Sequence, residues 1–232
     1  MSKINIVCLK WGDKYGGEYV NNLYNAVKRH STIPFDFHCF TERTQDINPN
    51  VITHPLPHGG LDGWWNKLYL FSKDMPIKGR IFYIDLDTLI TGNIDNILMV
   101  NKGFVVLRDF FYGIAQGVDV KSVGSGLMSY EAGVYDAMWQ KFIKNPNAEI
   151  AKVRPHGDQR FIQNEVKNFL YWQDLFPDQV LSFKVHCNAG LPPEGKIVCY
   201  HGKPSIPESF TKHTKVPHFD IPPQLWVKEH WF

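Results

Sequence analysis

The sequence predicts an α/β domain built on a mostly parallel central sheet flanked by helices. Three observations predict this fold class. The chain opens with a strand, a helix and a second strand, an order typical of parallel sheets covered by helices. Segments of strand and helix character then continue to alternate as far as residue 204. The 232 residues suit one domain, and 44% hydrophobic with 14% aromatic content supplies enough apolar side chains for a core.

The first three segments form a β-α-β unit. The run INIVCLKWG is rich in β-branched residues and ends in glycine, which predicts a buried first strand. The next segment predicts a helix because its apolar residues recur at helical spacing: Val20, Leu23, Tyr24 and Val27. The run PFDFHCFTE predicts the second strand, and the crossover between two such strands is nearly always right-handed.

The middle of the chain continues this alternation. The segment WWNKLYLFSKD predicts a helix, RIFYID predicts the strand after it, and GFVVLRDF and SGLMSYE predict two more strands. Two helices come next. The second begins near Asp158, which is a suitable N-cap residue. The first has apolar residues on one face: Val134, Ala137, Met138 and Phe142. The runs VLSFKV and KIVCYHGK predict the last strands.

The predicted domain covers residues 1–204, and a tail of different composition covers residues 205–232. The tail is rich in proline and aromatic residues and lacks helical or strand periodicity, which predicts an extended segment packed over the domain. Some of its side chains also fit peripheral contact with a membrane surface or a protein partner: Lys212, Lys215, Trp226 and Trp231.

Charge and hydropathy exclude some classes of function. A formal net charge of +2 gives no case for the concentrated basic face that nucleic-acid-binding proteins carry, so no nucleic-acid partner is predicted. No run is long and apolar enough to span a bilayer, and the N-terminus enters a strand without a signal-peptide cleavage region. We therefore expect a cytoplasmic protein.

The four cysteines form no Cys-x-x-Cys pair. Cys8, Cys39 and Cys199 lie inside apolar stretches, which favours small buried hydrophobic residues in a reduced compartment. The alternative is a zinc site, for which the loose spacing offers four ligands: His186, Cys187, Cys199 and His201.

Two carboxylates, Asp85 and Asp87, follow the apolar run RIFYI and are separated by Leu86. In an open α/β sheet, ligands bind beyond the carboxyl ends of the strands. Two carboxylates at i and i+2 on a turn can converge on one hard cation, and that cation can bridge the oxygens of a diphosphate. In the alternative without a ligand, Asp85 caps a turn and Asp87 is solvated.

The same stretch also matches the Asp-x-Asp-x-Thr opening motif of haloacid-dehalogenase-type phosphatases, with Thr88 in place. There the first aspartate is a nucleophile and the second is a general acid/base, with Mg²⁺ bound alongside. Three features weigh against this alternative. The motif follows a β-α-β unit, HGDQRFIQ offers only Asp158 where a pair of aspartates is needed, and no catalytic lysine has a recognisable context.

A second polar strand end, IVCYHGKPSIPE, carries groups that complement the carboxylates. His201 can contribute a nitrogen ligand to the same cation, and Lys203 can neutralise diphosphate charge. Gly202 between them allows phosphates to approach the backbone closely. One nitrogen with two carboxylates favours Mn²⁺ over Mg²⁺. A hydrogen-bonded surface histidine is the alternative.

Taken together, these segments resemble the GT-A-fold glycosyltransferases, in particular family 8, which includes glycogenin and the bacterial lipooligosaccharide galactosyltransferases. The resemblance runs in order from about residue 4 to residue 204 and implies a Rossmann-like nucleotide-diphospho-sugar transferase fold. Two departures stand out. Ser125 and Gly126 replace the family's asparagine–alanine opening, and HGKP is shorter than the family's closing H-x-x-G-x-x-K-P-W and lacks its tryptophan.

The resemblance implies a role for each motif. Asp85, Asp87 and His201 would bind the metal, Mn²⁺ or Mg²⁺. Asp158 would bind sugar hydroxyls and Gln159 would lie near the anomeric carbon, which makes these two the catalytic residues. The donor-binding residues would be Leu9, Tyr15, Lys67, Asp85, Leu86, Asp87, Ser125, Gly126, Gly202 and Lys203.

The implied activity is transfer of a hexose from a nucleotide-sugar donor, a UDP-sugar above all, with retention of anomeric configuration. The acceptor stays open among a glycan, a lipid-linked glycan, a protein and a small molecule, since acceptor pockets in this fold are built from variable loops, here residues 109–124 and the tail. A catalytically inactive member of the fold that binds nucleotide or glycan is the non-enzymatic alternative. Without a ligand, Tyr15 would pack on the first helix and Lys67 would be solvated. Trp64 and Trp65 are expected in the core or the pocket wall.

Overall fold

The computed structural model describes residues 4–57, 61–111 and 121–232. Its strands are β1 (Ile4–Lys10), β2 (Phe35–Thr41), β3 (Ile52–His54), β4 (Arg80–Ile84), β5 (Thr88–Ile90), β6 (Phe104–Arg108), β7 (Val123–Glu131), β8 (Phe169–Tyr171), β9 (Val180–Ser182), β10 (Ile197–Cys199), β11 (Thr214–Val216) and β12 (Phe219–Ile221). Its α-helices are α1 (Gly17–His30), α2 (Asp95–Leu98), α3 (Asp136–Lys144), α4 (Pro146–Val153), α5 (Gly157–Glu165), α6 (Trp172–Leu175), α7 (Phe183–His186) and α8 (Ile206–Thr211). The segments Gly63–Phe71 and Leu225–Glu229 are 3₁₀ helices.

A seven-stranded sheet lies at the centre, with the strand order β3-β2-β1-β4-β7-β6-β8. All of its strands point the same way except β7, which is antiparallel to β4 and β6. This confirms the predicted α/β fold with a mainly parallel sheet flanked by helices. Because β7 is reversed, its first residues lie beside the carboxyl end of β4, where Leu127 pairs with Ile84.

Strand β4 is apolar because it is covered on both faces. Phe82 and Ile84 belong to the apolar cluster that includes α1, and Ile81 and Tyr83 belong to the cluster on the opposite face. All four side chains are buried. A parallel strand covered on both sides is expected to be a continuous apolar run. Asp85 is therefore the first charged position beyond a fully buried strand.

A second sheet, in the order β5-β10-β9, brings a distant part of the chain to the two aspartates. Strand β5 begins directly after Asp87, and β10 pairs antiparallel with β5 and parallel with β9. The backbone N–H of Tyr200 donates to the carbonyl oxygen of Asp87 at 2.9 Å. This contact holds His201 and Gly202 next to the Asp85–Asp87 turn.

Two elements differ in type or length from the prediction. The segment WWNKLYLF is a 3₁₀ helix, Gly63–Phe71, instead of an α-helix. The strand predicted from VLSFKV ends at Ser182 because the Ser182 side chain accepts a hydrogen bond from the N–H of Val185. That bond caps α7 and ends the extended backbone.

The predicted apolar face of α3 is only partly correct. The helix begins at Asp136, so Val134 precedes it and is exposed, and Ala137 is exposed as well. The buried residues of the helix are Met138, Trp139 and Phe142. Two of the four predicted positions, Met138 and Phe142, are therefore on the buried face, and Trp139 joins them.

The tail after residue 204 is more regular than its composition predicts, because it contains α8, the β11–β12 hairpin and a 3₁₀ helix. Ile206, Ile221 and Val227 are buried in the same apolar cluster as α1. Trp226 and Trp231 are partly buried against that cluster, so their indoles are used in the protein's own packing. The domain boundary at residue 204 and membrane contact through the tail stay predictions.

Within the described ranges, none of the helices combines the length and the apolar character that crossing a membrane requires. The cytoplasmic location stays a prediction. The four cysteines are free and buried, as expected of small hydrophobic residues. No three His, Cys, Asp or Glu side chains in the described part of the chain are arranged to hold a metal ion.

Candidate active site

Most of the predicted site residues line one cleft of about 370 Å³ at the carboxyl ends of β1 and β4. Those that line it are Leu9, Tyr15, Lys67, Asp85, Leu86, Asp87, Ser125, Asp158, Gln159, His201 and Gly202. Gly126 lines an adjoining cavity of about 190 Å³, which shares Asp85, Asp87 and His201 with the cleft. The carboxyl ends of several strands therefore meet at the point where the sequence predicted a ligand site.

Tyrosine hydroxyls hold both carboxylates of the Asp85–Asp87 turn. Tyr83 donates a hydrogen bond to Asp85 Oδ1 at 2.5 Å, and Tyr15 donates to Asp87 Oδ2 at 2.7 Å. Burial and the nearby charge of Asp85 raise the pKa of Asp87 to about 6. A cation placed between the two carboxylates would favour the ionised form of Asp87. Tyr15 is thus tied to the site and does not merely pack on α1.

Lys67 joins the first aspartate to Asp158 in a buried network. Its Nζ lies 3.1 Å from Asp85 Oδ1 and 3.5 Å from Asp158 Oδ2. It also donates to Ser125 Oγ at 3.1 Å, and Ser125 Oγ donates to Asp158 Oδ2 at 2.7 Å. Burial lowers the pKa of Lys67, but the charges of Asp158 and Asp85 outweigh burial and raise the pKa above its usual value. Lys67 is therefore charged and buried, and the alternative of a solvated lysine is wrong.

Asp158 does not cap helix α5, contrary to the prediction. The N-cap residue is His156, and Asp158 lies in the first turn of the helix. Its carboxylate is held instead by the Lys67 ammonium and the Ser125 hydroxyl. Gln159 follows it and lines both the cleft and the adjoining cavity.

His201 lines the cleft but is already engaged by another residue. Its Nε2 lies 2.7 Å from Ser182 Oγ, and its ring stacks on Phe110 with centroids 5.8 Å apart. Burial, together with the positive charge of Lys184, lowers the pKa of His201 to about 3, so the imidazole is neutral. The predicted set of Asp85, Asp87 and His201 is not among the described residues as a three-ligand cluster. The physical reason is that β9 and β10 pair in register and place Ser182 beside the end of β10.

Lys203 does not line the cleft, and an ion pair with Glu208 competes with its predicted contact with the donor. Its Nζ pairs with Glu208 Oε2 at 2.9 Å. Glu208 also accepts hydrogen bonds from the N–H and hydroxyl of Ser205 in the capping box of α8. The hydrogen bond from Lys203, followed by those from Ser205, lowers the pKa of Glu208 to about 2. The tail helix, which the sequence prediction treated as irregular, provides this competing carboxylate.

Sequence reasoning missed several residues that line the cleft: Trp11, Lys14, Tyr83, Pro155, His156, Gly157 and Tyr200. The alternation of side chains along β4 was a signal for Tyr83, which lies two residues before Asp85 and projects to the same side. The remaining residues lie on loops or, for Gly157, at the first position of α5, and only the folded chain brings them to the cleft.

Trp64 and Trp65 take different places. Trp65 is buried and stacks on Phe142, with ring centroids 5.6 Å apart. Trp64 lines the cleft and is 51% exposed. Gly157, with φ of +69°, makes room for its indole, since a Cβ at Gly157 would lie 3.1 Å from Trp64 Nε1. Trp64 thus forms part of the pocket wall, as expected, and leaves much of its surface open.

The predicted acceptor segment, residues 109–124, is only partly described, and residues 112–120 lie outside the described ranges. Asp109, Phe110 and Phe111, which precede that gap, line the adjoining cavity of about 190 Å³. The acceptor assignment stays a prediction.

The fold is that of the GT-A glycosyltransferases. No protein-family model and no curated protein sequence matches the chain. Among solved structures, the glycosyltransferase GlyE of Streptococcus pneumoniae TIGR4 is similar, with a TM-score of 0.65, 14% identity and 88% of this chain covered. The chain spans 56% of the length of that protein.

The galactosyltransferase LgtC, solved in complex with donor and acceptor sugar analogs, is also similar. Its TM-score is 0.64 at 11% identity, with 88% of this chain and 89% of LgtC covered. At these identities the likeness concerns the fold, and membership of family 8 stays a prediction. Neither the fold nor the contacts of Asp85 with Lys67 and Tyr83 support the phosphatase alternative.

Proposed function

We propose that the protein is a glycosyltransferase of the hexosyl type that uses a nucleotide-sugar donor, a UDP-sugar above all. The observation that carries this proposal is the convergence of the Asp85–Asp87 turn with Lys67 and Asp158 in one cleft of a GT-A fold. The cleft lies beyond the carboxyl ends of β1 and β4, where open α/β sheets bind nucleotides. The structural likeness to GlyE and LgtC supports the same class of activity.

A divalent cation fits the carboxylate pair. Burial and the charge of Asp85 raise the pKa of Asp87, and a cation bound at the pair would oppose both effects. His201 fits the role of third ligand less well, because Ser182 Oγ occupies its Nε2. We therefore assign Mn²⁺ or Mg²⁺ to Asp85 and Asp87. A cation bound there would neutralise charge on the leaving nucleoside diphosphate.

The chain's own residues would position the donor sugar. Lys67 fixes the Asp85 and Asp158 carboxylates in place through its ion pairs with both. Asp158, fixed by Lys67 and Ser125, presents a carboxylate that can accept hydrogen bonds from sugar hydroxyls. Gln159 lies at the junction of the two cavities, where the anomeric carbon and an acceptor would meet. Positioning and charge stabilisation would then supply most of the rate, with retention of configuration as the family resemblance implies.

A screen for release of nucleoside diphosphate from a panel of nucleotide sugars, with and without MnCl₂, tests the activity. We expect release of UDP from at least one UDP-sugar, and less release when the metal is chelated. Binding of a UDP-sugar without turnover in the presence of candidate acceptors would favour the inactive, ligand-binding alternative. Release of phosphate from generic phosphate esters, without UDP release, would favour the phosphatase.

Calorimetric binding of a UDP-sugar by Asp87→Asn tests the metal assignment. We expect the Mn²⁺-dependent part of the affinity to be lost, because one of two anionic ligands is gone. Asp178→Asn is the matched control: Asp178 is exposed, lies outside the cleft and has φ of +62°, a conformation that asparagine tolerates. Equal Mn²⁺-dependent binding by Asp87→Asn and the control would reject Asp87 as a ligand.

A further inference from the structure

Lys184 is a buried lysine next to the segment that follows β10 and contains His201 and Gly202. It lies on α7, in the short connection after β9, and is only 8% exposed. Its Nζ lies 5.4 Å from the centroid of the Phe111 ring and 3.9 Å from the position that a Cβ on Gly202 would take. Gly202 lines the cleft and Phe111 lines the adjoining cavity, so the ammonium group lies beside one wall residue of each, although Lys184 itself lines neither.

Lys184 has no anionic partner among the described residues. No carboxylate of those residues lies within ion-pair distance of its Nζ, and none of their groups accepts a hydrogen bond from it. Burial lowers the pKa of Lys184, and no negative charge on a described residue opposes that effect. A buried ammonium group without a counterion costs free energy, so such a residue is a candidate for binding an anionic ligand.

The other lysines near this end of the cleft contrast with Lys184. Lys67 is buried but balanced by Asp85 and Asp158. Lys203, next to Gly202, is exposed and pairs with Glu208. Lys14 lines the cleft and is exposed, so water compensates its charge. Among these four, Lys184 alone is both buried and without a counterion in the described structure.

We propose that Lys184 is the cation that binds the diphosphate of the nucleotide-sugar donor beside Gly202, in place of Lys203. This assignment rests on the proposed glycosyltransferase function. Gly202, with φ of +73° and no side chain, leaves open the path between a phosphate in the cleft and the Lys184 ammonium. The flexible four-carbon stem of lysine allows Nζ to advance toward the phosphate. A diphosphate would supply the negative charge that the described part of the chain does not place beside Lys184.

Lys184→Met tests the assignment, with Lys203→Met as the matched control at the same strand end. Calorimetry measures the affinities for UDP and for UMP in the presence of MnCl₂, and thermal unfolding without ligand measures stability. We expect Lys184→Met to weaken UDP binding by about tenfold or more, and UMP binding by less, since a charge-assisted hydrogen bond to the terminal phosphate is lost. We expect Lys203→Met to bind UDP within about twofold of the wild type, because its exposed ion pair contributes little.

The Lys184→Met substitution should lower the affinity for UDP without lowering the stability of the ligand-free protein. Removing a buried, unbalanced charge should leave the unfolding temperature of the ligand-free Lys184→Met protein unchanged or higher. Equal affinity of Lys184→Met and wild type for UDP would overturn the assignment. So would equal losses for UDP and UMP together with a lower unfolding temperature, because that pattern means Lys184 supports the fold. Should Lys184→Met not fold, Lys184→Gln is measured in the same way.

The failure of this inference and the failure of the proposed function have different signatures. If the wild-type protein binds none of UDP, GDP and ADP, the proposed function is wrong and the Lys184 assignment falls with it. If the wild type binds one of these and Lys184→Met binds it equally well, only the Lys184 assignment is wrong.

Discussion

Lys67→Met removes a charge that two carboxylates share, while a long apolar side chain keeps the space filled. Lys67 is 4% exposed, and its Nζ lies 3.1 Å from Asp85 and 3.5 Å from Asp158. The variant leaves Asp158, which is 6% exposed, with a buried charge that has lost its counterion. Removing one partner of a buried ion pair costs about 3–5 kcal/mol in typical proteins.

The expected cost lies near the lower end of that range. The side chain of Asp85 is 34% exposed, so water replaces part of the lost interaction there. Asp158 keeps the hydrogen bond from Ser125, which limits its penalty. We expect a loss of about 3 kcal/mol in the free energy of unfolding, equivalent to a fall of about 6–12 °C in Tm for a domain of this size.

Urea unfolding of four proteins provides the assay: wild type, Lys67→Met, Asp158→Asn and the double variant. Because asparagine at 158 removes the carboxylate that Lys67 balanced, the double variant should lose less than the sum of the single variants, by about 1 kcal/mol or more. A Lys67→Met protein as stable as wild type would refute the buried ion pair. Single-variant losses that simply add would refute the coupling between Lys67 and Asp158.

Three further predictions concern the same cleft. Tyr83→Phe deletes the buried hydroxyl that donates a hydrogen bond to Asp85 at 2.5 Å. Urea unfolding should show a loss of about 1–3 kcal/mol in the free energy of unfolding. An unchanged free energy of unfolding would contradict this hydrogen bond. Gly157→Ala forces a Cβ to 3.1 Å from Trp64 Nε1 at φ of +69° and should cost more than about 1 kcal/mol, whereas the open Gly103 tolerates alanine with little change. The pKa of Asp87 is about 6, and only its ionised form attracts a cation. Mn²⁺ affinity measured by calorimetry should therefore fall as the pH is lowered from 7 to 5. An affinity that does not change with pH would contradict this prediction.

Local patterns were sufficient for the elements that carry the site. The apolar run before Asp85 predicted a strand, and β4 is one, buried on both faces. The helical spacing of apolar residues predicted α1, which spans Gly17–His30. Strand and helix periodicity depend on neighbours in sequence, so a linear pattern contains most of the information. The motif positions then predicted most of the charged and polar residues that meet at the cleft, with Lys203 as an exception, because carboxyl ends of parallel strands share one edge of the sheet.

Local patterns were insufficient for the short elements around the second sheet. The run VLSFKV has the composition of one strand, yet a side-chain cap at Ser182 turns its second half into α7. That turn buries Lys184, a residue with no distinguishing local signal. In the same way, the proline-rich tail forms α8, whose capping residue Glu208 engages Lys203.

The sequence by itself determined the α/β class, the central strand and the pair of carboxylates at its end. The tertiary structure decided which partner each charged or polar side chain has: Lys67 bridges Asp85 and Asp158, and His201 contacts Ser182. The physical reason is one of range. Periodicity follows from the geometry of a single strand or helix, whereas an ion pair or hydrogen bond forms only when folding brings two distant groups within about 3–4 Å.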